Sequence, residues 1–363
     1  MKHQKPHSPG KHGDHHHHNH HFHEHPKIKQ RILDKKVSIC SKDDIFNGVT
    51  NFDISKIWSP VKNIDFSSKH DVLIMNSDGK LLPMDEPYFE NNKISENTFQ
   101  IRSDGDYCYL LIGDEIGIMI DCGYGCGNIR EYAEKIAGKP VKYVINTHYH
   151  FDHTANNSYF DAVFMSSESV NYATKPYNSF SGLNFPRDYP IIVVEDGYKI
   201  NLGNREIEII KFLYPNHTRG SIAILDEKNK LLFTGDEFLM PKRVELKYVT
   251  LEQFKESMEK IYKFRNKFEK VLTGPGEKTG NMIDDYYNAV INAVKGTPDP
   301  KKNEEGKKSA YKKPEVPDNG HIVYVRGSAR KGDKTENSPE ILLTGESKTY
   351  TYNGFTINYV IPK

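Results

Sequence analysis

The residues best equipped for chemistry lie in one short run, Thr147-His148-Tyr149-His150-Phe151-Asp152-His153-Thr154. Neutral imidazole and carboxylate both bind zinc, iron and manganese. In a chain of this composition the pattern H-x-H-x-D-H arises by chance with a probability on the order of 10⁻⁴, so the real choice is between two kinds of metal site. Structural zinc sites close with four Cys or His ligands, whereas this cluster carries an acid and no Cys. Three imidazoles and a carboxylate on one turn suit an ion that keeps a position open for water.

The cluster directly follows a buried-type strand over residues 141–146, and the chain around it alternates strands with helices. Strands are expected at 98–101, 107–112, 116–120, 162–165, 191–194, 206–212, 221–225 and 231–233. A helix is expected over 128–137, stopped by Gly138 and Pro140, and a short one over 166–174. Two amphipathic helices follow, at 252–269 behind a Thr250-x-x-Gln253 capping box and at 281–295. The pattern predicts a small β-rich C-terminal piece with strands at 321–325, 340–343, 349–352 and 355–360.

Composition narrows the class. The chain has 363 residues and a formal net charge of +1, a balance unlike that of a protein built to grip nucleic acid or an anionic membrane. The lysine-rich stretch 301–313 reads as a solvated linker. Mean hydropathy is −0.69, so polar tails accompany a core-forming region. No run of 18 apolar residues suggests a membrane span, and the N-terminus lacks the apolar centre of a signal peptide. The four cysteines, Cys40, Cys108, Cys122 and Cys126, do not make a disulfide framework, and a reducing, cytoplasmic setting is expected. Cys122 and Cys126 also have the look of half a metal site, but no second pair follows. Eleven of the 17 histidines lie between His3 and His25, either as a loose site for zinc, nickel or copper or as a vector-derived leader. The expected organisation is a His-rich tail at 1–29, an N-terminal extension at 30–92, a metal-binding domain at 93–296, a Lys/Pro linker at 297–319 and a C-terminal extension at 320–363.

In these motifs the chain resembles the metallo-β-lactamase-fold hydrolase superfamily over residues 94–276. Asp121 in Ile120-Asp121-Cys122-Gly123 matches its first motif and the 148–153 cluster its second. His217 in Asn216-His217-Thr218-Arg219-Gly220-Ser221 matches the third, and Asp236 after Phe233-Thr234-Gly235 the fourth. The resemblance implies an α/β fold, a four-layer αββα sandwich with metals at one edge between the sheets. It implies that His148, His150 and His217 bind a first ion, and that Asp152, His153 and Asp236 bind a second, with Asp236 bridging. Asp121 is implied as outer support for the ligands. One motif departs from the pattern, because Pro275 in Thr273-Gly274-Pro275-Gly276-Glu277 stands where the family places a further His. The cofactor expected is therefore Zn2+, one ion tight and a second weaker, with Fe or Mn compatible with the same donors. Replacement of the missing ligand by Glu277 or by His321 is the less expected arrangement, against a second ion held weakly or completed by water.

The expected function is zinc-dependent hydrolysis of a small ester, thioester, lactone or lactam by a metal-bound hydroxide, with Asp152 orienting the nucleophile and protonating the leaving group. The alternative is a non-catalytic zinc-binding protein on the same fold, in which the His-rich tail helps to handle metal. An iron redox role is disfavoured, because the redox branch places a Glu where His150 stands. The aromatics Tyr172, Tyr177, Phe180, Phe185 and Tyr189 either wall a substrate pocket or pack a long connection, and Tyr124 and Cys126 also fall near its edge. The partner expected is a small-molecule substrate, with no nucleic acid and no membrane. A homo-oligomer is compatible with the sequence.

Overall fold

Apolar side chains at every second position set the layering. Along residues 106–112, Tyr109 and Leu111 join one core cluster while Cys108, Leu110 and Ile112 join another. Along 222–226, Ile222 and Ile224 enter that first cluster while Ala223 and Leu225 enter a third. A strand that is apolar on both faces must be covered on both faces, and two such sheets stacked together require helices outside each. The computed structural model describes residues 72–75, 81–83, 89–103, 106–123, 125, 127–173, 189–301, 322–325 and 340–363.

The first sheet contains β1 (Glu90–Ser95), β2 (Thr98–Ser103), β3 (Asp106–Ile112), β4 (Gly117–Ile120), β5 (Tyr143–Ile145), β6 (Ala162–Met165) and β7 (Ile191–Val193), side by side in chain order. Pairing is antiparallel from β1 to β4 and parallel from β4 to β7. The parallel steps carry α1 (Ile129–Ala137), α2 (Phe151–Thr154) and α3 (Ser167–Ala173). Helix α1 starts where the Asn128 side chain accepts the Glu131 N–H, and it stops at Gly138 in the left-handed region.

The second sheet begins with β8 (Lys199–Asn201), β9 (Glu206–Lys211), β10 (Ile222–Asp226) and β11 (Leu231–Gly235). Strand β12 (Arg243–Glu245) leaves it, and α4 (Leu251–Tyr262) follows behind a complete Thr250–Gln253 capping box. The chain then returns as β13 (Lys270–Thr273) and β14 (Gly276–Thr279), giving the order β8-β9-β10-β11-β13-β14. Helix α5 (Asn281–Lys295) packs with α4 outside this sheet through Phe254, Met258, Ile283, Tyr286 and Val290. The C-terminal hairpin of β15 (Gly345–Tyr352) and β16 (Phe355–Pro362) pairs with β12 and sends Phe355 and Ile357 into the same cluster. In a separate three-stranded sheet, Val72–Met75 pairs with Leu81–Pro83 and runs parallel to Ile322–Val325. No helix among the described residues is long and apolar enough to cross a membrane.

The sandwich is the four-layer αββα arrangement expected, with local corrections. The helix expected over 252–269 ends at Tyr262, and a tighter turn over Arg265–Lys267 redirects the chain so that Phe268 becomes buried. Residues 340–343 form no strand; Leu343 N–H donates to the Lys247 carbonyl. Strands β1, β8, β12 and β14 were not expected, being short and largely polar edge or near-edge strands with little apolar alternation. The His-rich tail, Tyr124, Cys126, Tyr177, Phe180, Phe185, the body of the Lys/Pro linker and His321 lie outside the described residues.

Candidate metal centre

Four strand ends and one loop converge at one edge of the sandwich. Asp121 follows β4, the 148–153 run follows β5, Asp236 follows β11 and Gly274 follows β13, while His217 sits on the β9–β10 connection. Ligand sites of open α/β sheets lie beyond the carboxyl ends of their strands, and here both sheets supply such ends. Two local devices aim the second sheet's contribution. The β11–β13 register shifts between Phe233 and Gly235, a bulge that re-aims the next side chain. Gly235 takes φ +55°, and a Cβ there would sit 2.3 Å from Thr147 Oγ1, so only glycine lets the two sheets approach this closely.

Three groups of potential ligands result, each with donor atoms within 4.8 Å of one another: His148 with His150 and His217; Asp152 with His153 and Asp236; and Asp121 with His148 and His153. His217 Nε2 is 3.0 Å from His150 Nδ1. Asp236 Oδ2 is 3.2 Å from His153 Nε2, 3.6 Å from His217 Nε2 and 4.0 Å from His148 Nε2. The six expected ligands are thus brought together, with Asp236 between the two groups.

Asp121 is buried and has φ +59°, an unusual conformation for a residue other than glycine. It accepts the Thr147 N–H at 2.8 Å and the Thr147 hydroxyl at 2.7 Å, and His153 Nδ1 lies 3.0 Å from its Oδ2. Since the single Thr147 hydroxyl proton goes to Asp121, Thr147 Oγ1 accepts from His148 Nδ1–H at 2.9 Å. That fixes the tautomer and leaves the Nε2 lone pair of His148 facing the cluster. His148 Nε2 is buried and has no hydrogen-bond partner among the described residues.

Electrostatics point the same way. Burial, reinforced by the neighbouring imidazoles, holds His148 and His150 well below the ordinary histidine pKa. Burial also pushes His153 down, but the carboxylates of Asp152, Asp236 and Asp121 outweigh it and hold that ring well above the ordinary value. Asp236 is held well below the usual carboxylate range, because His153, His217 and His148 outweigh its burial. Buried carboxylates facing neutral imidazole lone pairs are costly unless a cation joins them. The donor set and the orphaned Nε2 therefore fit a metal ion.

Several supporting residues carry no sequence signal that sets them apart. Glu237 accepts the backbone N–H groups of Asn216 at 2.6 Å and His217 at 3.0 Å, holding the His217 loop; burial pushes its carboxyl up to about 7 against those two bonds. Asn146 and Asn157 exchange side-chain amide bonds beneath the cluster. Cys122 Sγ lies 3.2 Å from Asn157 Oδ1 and 3.3 Å from the His153 carbonyl, in the support rather than among the ligand groups. Glu277 does not reach the centre; it sits on β14 in an ion pair with Lys270 at 2.8 Å. Pro275 is exposed, while its neighbour Gly274 is pressed so close that a Cβ would lie 2.0 Å from Asp236 Oδ1. Tyr172 packs its ring 5.2 Å from that of Tyr149, and Tyr189 is buried with its hydroxyl donating to the Ala173 carbonyl.

Residues 104–280 match the model of the metallo-beta-lactamase superfamily. The chain is 27% identical over 201 residues to the bovine (Bos taurus) acyl-coenzyme A thioesterase MBLAC2, covering 46% of this chain and 71% of that protein. It is 31% identical over 202 residues to a probable metallo-hydrolase of Methanocaldococcus jannaschii, covering 50% of this chain and 93% of the relative. A solved metallo-beta-lactamase from Pontibacter korlensis aligns with a TM-score of 0.44 at 17% identity, over 56% of this chain and 99% of that one. With its ordered motifs gathered at one edge of the sandwich, the chain belongs to the metallo-beta-lactamase superfamily and is a hydrolase of that kind.

Proposed function

We propose that the chain hydrolyses an acyl thioester with zinc as its metal, within the wider class of small esters, thioesters, lactones and lactams. The observation that carries this reading is the position of Asp236 Oδ2, 3.2 Å from His153 Nε2 and 3.6 Å from His217 Nε2, where one carboxylate serves both donor groups. His148, His150 and His217 would hold a first ion, and Asp152, His153 and Asp236 a second. Zinc bound there would supply Lewis acidity, polarising a carbonyl and lowering the pKa of water from 15.7 to about 7. Asp152, buried at the centre, orients the attacking water and receives its proton. Asp121 and Thr147 hold the His148 and His153 rings in the required tautomers.

Two points favour the thioester. The bovine relative is named an acyl-coenzyme A thioesterase. Moreover, with Pro275 at the fifth-motif position, a second ion would have one imidazole fewer and would be held more weakly. A thiol of pKa about 8.5 leaves as a thiolate with little help, whereas a lactam nitrogen must be protonated to leave. A site with a more weakly held second ion would therefore suit the better leaving group. Tyr172, whose ring packs against that of Tyr149, would supply an apolar surface for the acyl group. The working compartment in this reading is the cytoplasm.

The test is a substrate panel of acyl thioesters, esters, lactones and lactams, run on chain stripped with a chelator and then reloaded with zinc. Zinc-restored turnover, greatest for a thioester and abolished by His148→Ala or Asp152→Ala, is the expected result. Zinc binding without turnover on any member of the panel would sink it and favour the metal-handling alternative.

A further inference from the structure

The C-terminal segment reaches the metal centre through one side chain. Glu340 accepts a hydrogen bond from the Tyr149 hydroxyl on one carboxylate oxygen and from the Arg219 backbone N–H, at 2.6 Å, on the other. Tyr149 stands between His148 and His150 in the chain, and Arg219 stands two residues after His217. A single carboxylate therefore clamps the two segments that carry the first ligand group, one from each sheet. We propose that Glu340 is a positioning residue of the first metal site, so that the C-terminal segment completes the centre rather than decorating it.

Both ends of the clamp are anchored, which is what lets it transmit position. On one side the Tyr149 ring is buried, 5.1 Å from the His150 ring and 5.2 Å from that of Tyr172, so its hydroxyl cannot swing freely. On the other, Leu343 N–H donates to the Lys247 carbonyl, and the chain continues into β15 and β16, whose Phe355 and Ile357 are core residues. The segment to which Leu343 bonds also steadies the residue before His217: the Asn216 side chain donates to the Glu245 carbonyl at 2.7 Å and accepts from Lys247 N–H at 3.1 Å. Glu340 thus closes a frame around the 3.0 Å approach of His217 Nε2 to His150 Nδ1. Partners that orient a metal ligand typically change affinity 10–100-fold when removed.

The experiment uses the full chain and measures zinc affinity by competition with a chromophoric chelator, alongside the thermal midpoint of the stripped protein. Glu340→Ala is expected to weaken the tightest zinc by about 10-fold or more and to leave the stripped midpoint within a degree or two. Glu340→Gln is expected to restore most of the affinity, because its amide oxygen still accepts from Arg219 and its amide nitrogen can donate to the phenol oxygen. Tyr149→Phe, which keeps the ring and deletes one bond, is expected to show a smaller loss and serves if the alanine variant does not fold. Wild-type affinity in both Glu340→Ala and Tyr149→Phe, or a loss that only follows a falling stripped midpoint, would overturn the proposal. The inference rests on His148, His150 and His217 as ligands, and His217→Ala separates the two failures. If His217→Ala also keeps the zinc, the ligand assignment has failed; if only the Glu340 and Tyr149 variants keep it, the clamp has.

Discussion

At the scale of single residues, the centre is organised by proton arithmetic. Thr147 has one hydroxyl proton and gives it to Asp121, so the His148 ring must donate through Nδ1 and keep its Nε2 lone pair for the centre. Thr147→Val removes that relay while keeping the side chain's shape. It is expected to lower zinc affinity about 10-fold, read by chelator competition, with little change in fold as read by circular dichroism. At the fifth-motif turn, Pro275→His offers the missing imidazole. The expected outcome is a tighter second ion, seen as two zinc per chain above the background of a His217→Ala, Asp236→Ala control that carries the same His-rich tail; unchanged stoichiometry would show that residue 275 does not occupy the ligand position. The ligand run and His217 were legible because motif order and spacing survive in the sequence. Glu237, Asn157 and Glu340 were not, because each acts through backbone groups or through residues far away in the chain.

At the scale of elements, the two sheets are held together at opposite edges by different chemistry. The centre sits at one edge. At the other, Arg205 makes two bonds to Asp226 Oδ2, at 2.6 and 2.9 Å, and reaches across to the Asn97 carbonyl, the Ile112 carbonyl and Thr98 Oγ1. Both side chains are buried, Asp226 completely. Breaking a buried pair by removing one partner leaves an uncompensated charge and costs about 3–5 kcal/mol. Arg205→Met is therefore expected to lower the urea midpoint substantially, and Arg205→Met with Asp226→Leu to recover part of the loss. Neither should shift zinc affinity, since the proposed ligands lie at the far edge. The long central strands were legible from alternation, and Ala162–Met165 and Asn281–Lys295 occupy the residues expected of them. The Ile-Leu-Leu of residues 341–343 read as a strand for the same reason, but their path is decided by the Glu340 clamp and the bond to Lys247, which no local pattern records.

For the molecule as a whole, the proposed ligands are divided between the layers: His148, His150, Asp152 and His153 come from the first sheet, His217 and Asp236 from the second. An ion shared between them binds the folded chain and not the unfolded one, so it stabilises by mass action. At zinc about 100-fold above its dissociation constant the gain is about 2.7 kcal/mol, or roughly 5–10 °C for a cooperative unit of about 200 residues. Removal of zinc by a chelator is expected to lower the thermal midpoint by that amount and re-addition to restore it. A midpoint indifferent to zinc would mean that the two sheets do not share an ion.

The sequence by itself determined the layers, the ligand types and their order, because alternation and motif spacing are local properties written along one chain. Only the tertiary structure decided which oxygen stands between the two ligand groups, that Glu277 is spent on Lys270, and that a carboxylate from the C-terminal segment ties the His148–His150 turn to the His217 loop. Those are contacts across 121 and 191 residues, set by how the two sheets stack and where the last hairpin docks. A side chain's neighbours at that range follow from packing, which local sequence does not encode.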